Sequence, residues 1–166
     1  MGVRISSELL ARIVADAVGS PDEICGLLFG APDRIDAAEP CRNVAADPRR
    51  QFEIDPAQLL AAHRAARKGG PAIVGCYHSH PGGAAGPSAR DAADAEPNGW
   101  LWLIVGVGEA QLFRAVASGA IYGRFDAAHL RHVAPASIVI PAQAGTHHPP
   151  AAPVTPRGAG PPLSRG

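Results

Sequence analysis

Residues 76–96 read "CYHSHPGGAAGPSARDAADAE". They close a β-branched, apolar run, "AIVGCYHSH" (residues 72–80), which is bounded by Pro71 and Pro81 and reads as a central strand. Successive side chains on a strand alternate faces, so His78 and His80 point the same way with Cα atoms ~6.5–7 Å apart. Pro81 stops the strand. The loop "PGGAAGP" carries three glycines and can fold back sharply. Ser88 then opens an alanine-rich helix whose first turn holds Asp91. Two imidazoles and a carboxylate form a three-ligand set that leaves a fourth tetrahedral position open, the pattern of catalytic rather than structural zinc. Ser88-x-x-Asp91 is equally a capping box, with Asp in place of the usual Glu. Spacing alone leaves both readings open.

On the N-terminal side, Leu9, Leu10, Ile13, Val14, Ala17 and Val18 recur at helical spacing, with Ser6 or Ser7 as N-cap and Gly19 as stop. "EICGLLFG" (residues 23–30) is a short apolar run and reads as a buried strand, while "RIDAAEPCRNVA" (34–45) is poorer and edge-like. Asp55 and Pro56 supply an N-cap and a first-turn proline for a second helix running to Lys68. After the Ser88 helix, "WLWLIVGV", "AQLFRAV" and "AIYGRF" give three more strands separated by glycine turns. The expected fold is α/β (α+β), a mixed, mainly antiparallel sheet with about three helices. No internal repeat is visible.

Composition bounds the rest. Fifteen Lys+Arg balance fifteen Asp+Glu, so no basic footprint for nucleic acid and no charged membrane face is expected. No apolar run approaches the ~20 residues that span a bilayer, and the N-terminal stretch lacks a signal core. Three widely spaced cysteines do not make a disulfide framework, so a reducing cytoplasm is the expected setting. Composition shifts at Pro135: residues 135–166 hold eight prolines, four glycines and no acidic residue. They are expected to form a disordered tail on a domain of residues 1–134.

His78-Ser79-His80-Pro81, with seven residues from His80 to Ser88 and two more to Asp91, resembles the JAMM motif of the Mov34/MPN/PAD-1 metalloprotease family. Glu23, ahead of "GLLFG", matches the family's upstream glutamate, and "FEIDP" (52–56) resembles the segment that starts the second helix in small stand-alone bacterial members. The likeness covers about residues 3–116. It implies a JAMM/MPN fold related to the cytidine deaminases. It also implies one catalytic zinc held by His78, His80 and Asp91, with Glu23 as general acid/base and Ser88 as oxyanion donor. The implied reaction is hydrolysis of a peptide or isopeptide bond after the terminal glycine of a ubiquitin-like or sulfur-carrier protein. Two alternatives are a peptidoglycan or phage-tail-type peptidase and a non-catalytic MPN scaffold.

The remaining candidates rank below these. Cys25 shares strand parity with Glu23, and Cys76 with His78, but a buried free cysteine usually behaves as a small hydrophobe. His63 is read as a surface or satisfied core residue, and His129 and His132 as a pair on a final helix. His147-His148 fall in the tail. Trp100 and Trp102 share one strand face and are read as core.

Overall fold

A computed structural model of the chain describes residues 2–134; the tail expected from composition and His147-His148 lie outside them. Among the described residues three helices accompany one eight-stranded sheet, in the order β1 (Val3–Ser6), α1 (Ser7–Val18), β2 (Cys25–Ala31), β3 (Arg34–Cys41), α2 (Pro56–Arg67), β4 (Ile73–Ser79), α3 (Ala89–Asp94), β5 (Leu101–Val105), β6 (Ala110–Gly119), β7 (Gly123–Ala128) and β8 (Leu130–Val133). Across the sheet the strands run β7-β6-β5-β4-β2-β3-β1-β8. Four of the seven pairings are antiparallel and three, β1–β3, β1–β8 and β4–β5, are parallel.

Parity along β4 and β5 divides two cores. Tyr77, Leu101, Leu103 and Val105 face Leu9, Leu10 and Ile13 of α1. Cys76, Trp102 and Ile104 face the opposite way, with Ala92, Phe113 and Phe125. α1 therefore covers one face, capped at its start by the Ser6 hydroxyl, which accepts from the Leu9 N–H at 3.1 Å. α3 packs on the other face. α2 also lies there, started by Asp55 and Pro56, but buries none of its residues completely. At Gly75 a Cβ would sit 1.9 Å from the Leu101 carbonyl oxygen, so the close approach of β4 to β5 requires glycine.

Three expectations need correction. Ahead of the Ser6 N-cap, "VRIS" forms a strand that the helical reading of the N-terminal stretch did not include: four residues with alternating burial insert between β3 and β8. His129 and His132 stand at no helix. His132 pairs with Ile5 in β8, because parallel pairing with β1 satisfies this backbone in place of a helical turn. Nor is β3 a simple edge. β1 pairs with it at Arg34 and Ile35, and beyond that register its outer side meets α1, where Arg12 donates to the Ala38 carbonyl.

Candidate metal centre

His78 is the penultimate residue of β4, flanked by Cys25 of β2 and Ile104 of β5. Its ring is fully buried. Phe52 stacks on it at 4.2 Å between centroids, and Trp102 meets it edge-on at 5.8 Å. His80 lies just past the strand, yet its N–H still donates to the Val105 carbonyl at 2.8 Å. That bond extends the pleat by one step and keeps both imidazoles on one side. The His80 Nδ1 lies 3.2 Å from the Ala84 carbonyl. A carbonyl can only accept, so Nδ1 carries the proton and the Nε2 lone pair faces inward. The turn that makes this possible passes through Gly82 at φ 72°.

α3 delivers the carboxylate. The Ser88 N–H and hydroxyl donate to Asp91 Oδ2 at 2.6 and 2.8 Å, and the Asp91 N–H donates back to Ser88 Oγ at 3.1 Å. Asp91 Oδ1 lies 3.3 Å from His78 Nε2, Oδ2 lies 3.5 Å from His80 Nε2, and the two Nε2 atoms are 3.1 Å apart. Donors bound ~2.0–2.2 Å from one tetrahedral ion would stand about 3.3 Å from each other, so this spacing fits a single zinc. Among the described residues this is the group of three donors close enough to share a metal. His78 Nδ1 is buried without a partner, so its ring is aimed by stacking rather than by a second hydrogen bond.

Electrostatics agree with that donor set. Burial pushes His78 below the ordinary imidazole range, against the pull of Asp91, so it stays neutral. His80 is raised, chiefly by the Asp91 carboxylate next to it. Burial by itself would raise the Asp91 carboxyl, but the imidazoles of His78 and His80 beside it and the Ser88 N–H outweigh it and hold the group well below the usual carboxylate range.

Glu23 completes a small cleft with His80, Ser88 and Asp91. Only 6% exposed, its carboxyl is pushed up to about 7 by burial, with His80 opposing and Asp91 adding to the shift. Its N–H donates to the Pro48 carbonyl at 2.7 Å and its own carbonyl accepts from Asn43 Nδ2 at 2.9 Å. One residue on, the Ile24 N–H donates to Ser79 Oγ at 2.9 Å, tying the start of β2 to the residue between the two histidines. The structure thus brings Glu23, His80, Ser88 and Asp91 to one cleft, with the buried His78 ring reaching His80 and Asp91 from beneath it.

Three contributors escaped the sequence reading. Asn43 and Ser79 position this cleft through their hydrogen bonds, and Phe52 through its stacking on His78. A serine inside an apolar strand was a visible signal for Ser79; nothing local marks Asn43. Cys25 and Cys76 are buried outside the donor group. Cys25 Sγ–H instead donates to the Cys41 carbonyl. His63 is exposed on α2 and stacks on Trp100.

Residues 6–119 match the family described as prokaryotic homologs of the JAB domain. A desampylase from Haloferax volcanii is 39% identical over 99 residues, which are 58% of this chain and 71% of that protein. A probable TtuB-protein conjugate cleaving protease from Thermus thermophilus is 37% identical over 88 residues, 53% of this chain and 57% of that protein. A solution structure of a Desulfitobacterium hafniense protein superposes with a TM-score of 0.67 at 26% identity, over 80% of this chain and 94% of that one. The chain belongs to the prokaryotic JAB-domain family.

Proposed function

We propose that this prokaryotic JAB-family chain is a zinc-dependent isopeptidase that hydrolyses the bond after the C-terminal glycine of a ubiquitin-like or sulfur-carrier protein. The observation that carries the reading is the convergence of three metal donors beside a buried carboxyl raised to about 7. Similarity to a desampylase and to a probable protease cleaving protein conjugates supports the substrate class. A scaffold would need no complete donor set, and all three donors converge here, two of them lining one cleft with Glu23.

In this reading His78, His80 and Asp91 hold the zinc, which when bound polarises water and the scissile carbonyl. Glu23 accepts a proton from the attacking water and passes it to the leaving amine. A divalent cation beside it would pull its carboxyl down from about 7, favouring the ionised base at neutral pH. Ser88 donates to the carbonyl oxygen as charge develops there. Its hydrogen points at Asp91 Oδ2 in this structure, so the role requires the hydroxyl to turn. Phe52 and Trp102 keep water off the His78 ring.

The test is incubation of the zinc-loaded chain with carrier–protein and carrier–amino acid adducts, products read by mass spectrometry. Cleavage after the terminal glycine is expected, and Glu23→Gln should keep the metal while losing ~10²–10⁴-fold in rate. Replacing that glycine with leucine should cut kcat/KM severely. Equal cleavage after Gly and Leu would sink the carrier reading in favour of a general peptidase.

A further inference from the structure

The cleft that holds Glu23, His80, Ser88 and Asp91 measures about 200 Å³, and two arginines line it, Arg50 and Arg90. Their surroundings differ. Arg90 Nε lies 3.5 Å from Asp94, one helical turn on, and Asp94 borders the same cleft. Asp91 is turned to the two histidines. Arg50 has Asp47, outside the cleft, at 4.0 Å, the limit of an ion pair, and both side chains stand more than half exposed. Such a contact contributes little. The shift of the Glu23 carboxyl is set by burial, His80 and Asp91, so Arg50 is not engaged there either. Among the described residues, Arg50 is the arginine at this cleft whose charge no carboxylate of the cleft matches.

The backbone holds Arg50 beside Glu23. The Arg50 N–H donates to the Asp47 carbonyl at 3.1 Å, and inside that turn the Pro48 carbonyl accepts from the Glu23 N–H at 2.7 Å. On the other side, the Gln51 carbonyl accepts from Asn43 Nδ2, which also donates to the Glu23 carbonyl. Arg50 is thus tied to Glu23 from both directions along the chain. In the isopeptidase reading, Glu23 passes its proton to the nitrogen that leaves. The water oxygen stays on the glycine carbonyl, the C–N bond breaks, and the amine departs with that proton. The leaving nitrogen therefore sits against Glu23, and what it carries lies near Arg50. The α-amine of a single amino acid has its carboxylate carbon two bonds away, ~2.5 Å. The side-chain amine of a lysine has its Cα five bonds away, ~6 Å, with neutral amides beyond. A guanidinium pairs a carboxylate through two parallel N–H···O bonds and gains far less from an amide.

We propose that Arg50 is a specificity-determining residue on the leaving-group side. It takes the α-carboxylate of a departing amino acid, so that a carrier capped by one amino acid is preferred to a carrier joined to a lysine side chain. The inference rests on the isopeptidase reading and separates the adducts that reading admits.

Two measurements test this. In the first, one carrier is extended past its terminal glycine by alanine with a free carboxylate, by alanine carboxamide, or by Nα-acetyl-lysine amide joined through its side chain. The zinc-loaded chain cleaves the three in parallel. The acid should exceed both others about fivefold to fiftyfold in kcat/KM, mainly through KM, the range for hydrogen bonds to a charged group in a partly open cleft. Arg50→Gln should bring the ratio of acid to carboxamide towards one, and Arg50→Lys should keep part of it. Arg49→Gln, which removes the neighbour paired with Asp22 at 3.7 Å, should keep all of it. In the second, zinc-loaded Glu23→Gln is titrated by calorimetry with tail peptides ending in the same alanine acid or carboxamide. The acid should bind severalfold tighter, and adding Arg50→Gln should erase the difference. Equal handling of acid and carboxamide in both measurements would overturn the proposal. So would a preference for the acid that survives Arg50→Gln, which would assign the carboxylate to the metal, or a lysine isopeptide cleaved faster than the acid. Failure to cleave any adduct would instead remove the isopeptidase reading, and peptide binding would still decide Arg50.

Discussion

Asn43 gives the most demanding prediction because its side chain makes four hydrogen bonds to four different backbone groups. Nδ2 donates to the carbonyls of Glu23 and Gln51 at 2.9 and 3.0 Å, and Oδ1 accepts from the N–H groups of Ala45 and Glu53, both at 3.0 Å. The two Nδ2 bonds join the turn that carries Glu23 to the segment that carries Phe52. A neutral hydrogen bond contributes about 0.5–1.5 kcal/mol net, and one of these four, to Ala45, is a local turn that water can replace in a half-buried site. Asn43→Ala should therefore cost about 2–3 kcal/mol of unfolding free energy, read by denaturant titration. It should also lower kcat about 10–100-fold, since displacing a catalytic group by ~1 Å costs on that order. Metal content and KM should change little. Asn43→Asp separates the two donor bonds from the rest. It keeps both acceptor bonds but turns a carboxylate towards two carbonyls, which raises the pKa of the new group in the folded state. Its stability should accordingly recover as pH falls through that raised pKa, and the alanine variant should show no such recovery. A loss below about 0.5 kcal/mol in Asn43→Ala with unchanged kcat would refute the reasoning.

His78→Ala/His80→Ala should lose bound zinc, measured as metal per chain after dialysis; full occupancy in that variant would reject the donor assignment. Gly75→Ala should prevent stable folding, because its Cβ would lie 1.9 Å from the Leu101 carbonyl oxygen and 2.7 Å from two further Leu101 backbone atoms, which the paired strand cannot move away. Gly86→Ala, where a Cβ meets nothing within 4 Å, should fold with a melting temperature near that of the parent. Thiol titration of the native chain at pH 8 should find Cys41 alone. Burial pushes Cys25 up to about 12 and Cys76 higher still, which removes their thiolate, and both should react only after unfolding.

Much of the site was legible because its geometry is local. Parity fixes His78 and His80 on one face, Pro81 ends the pleat, and the glycine loop returns the chain within eight residues of His80 to Ser88. The strands that escaped notice depend on partners far away in sequence. β1 is four residues whose role follows from pairing with Arg34 on one side and Arg131 on the other. The spacing of His129 and His132 suggested a helix for the same reason, since nothing nearby reveals that β1 waits to pair with them. Trp100 and Trp102, read alike from sequence, separate in the structure: β5 begins at Leu101, so Trp102 is sealed beneath Phe52 and Trp100 stays half-open.

The two readings of Ser88-x-x-Asp91 did not have to compete. A carboxylate has two oxygens, and at Asp91 they divide the work. Oδ2 accepts from the Ser88 N–H and hydroxyl and so closes the first turn of α3. Oδ1 accepts none of those bonds and lies 3.3 Å from His78 Nε2. The cap holds the carboxylate in one orientation before any cation arrives, which lowers the ordering cost of assembling three donors around a metal. It also accounts for an aspartate where capping boxes usually carry glutamate. The shorter side chain keeps the carboxylate close to the helix backbone, with its second oxygen turned out towards the histidines. Asp91→Glu should therefore weaken metal binding while retaining most of the helix cap. Zinc affinity is read by competition with a chromophoric chelator, and stability by denaturant unfolding of the metal-free protein. If the glutamate variant bound zinc as tightly as the parent, the fit of aspartate to this double task would be refuted.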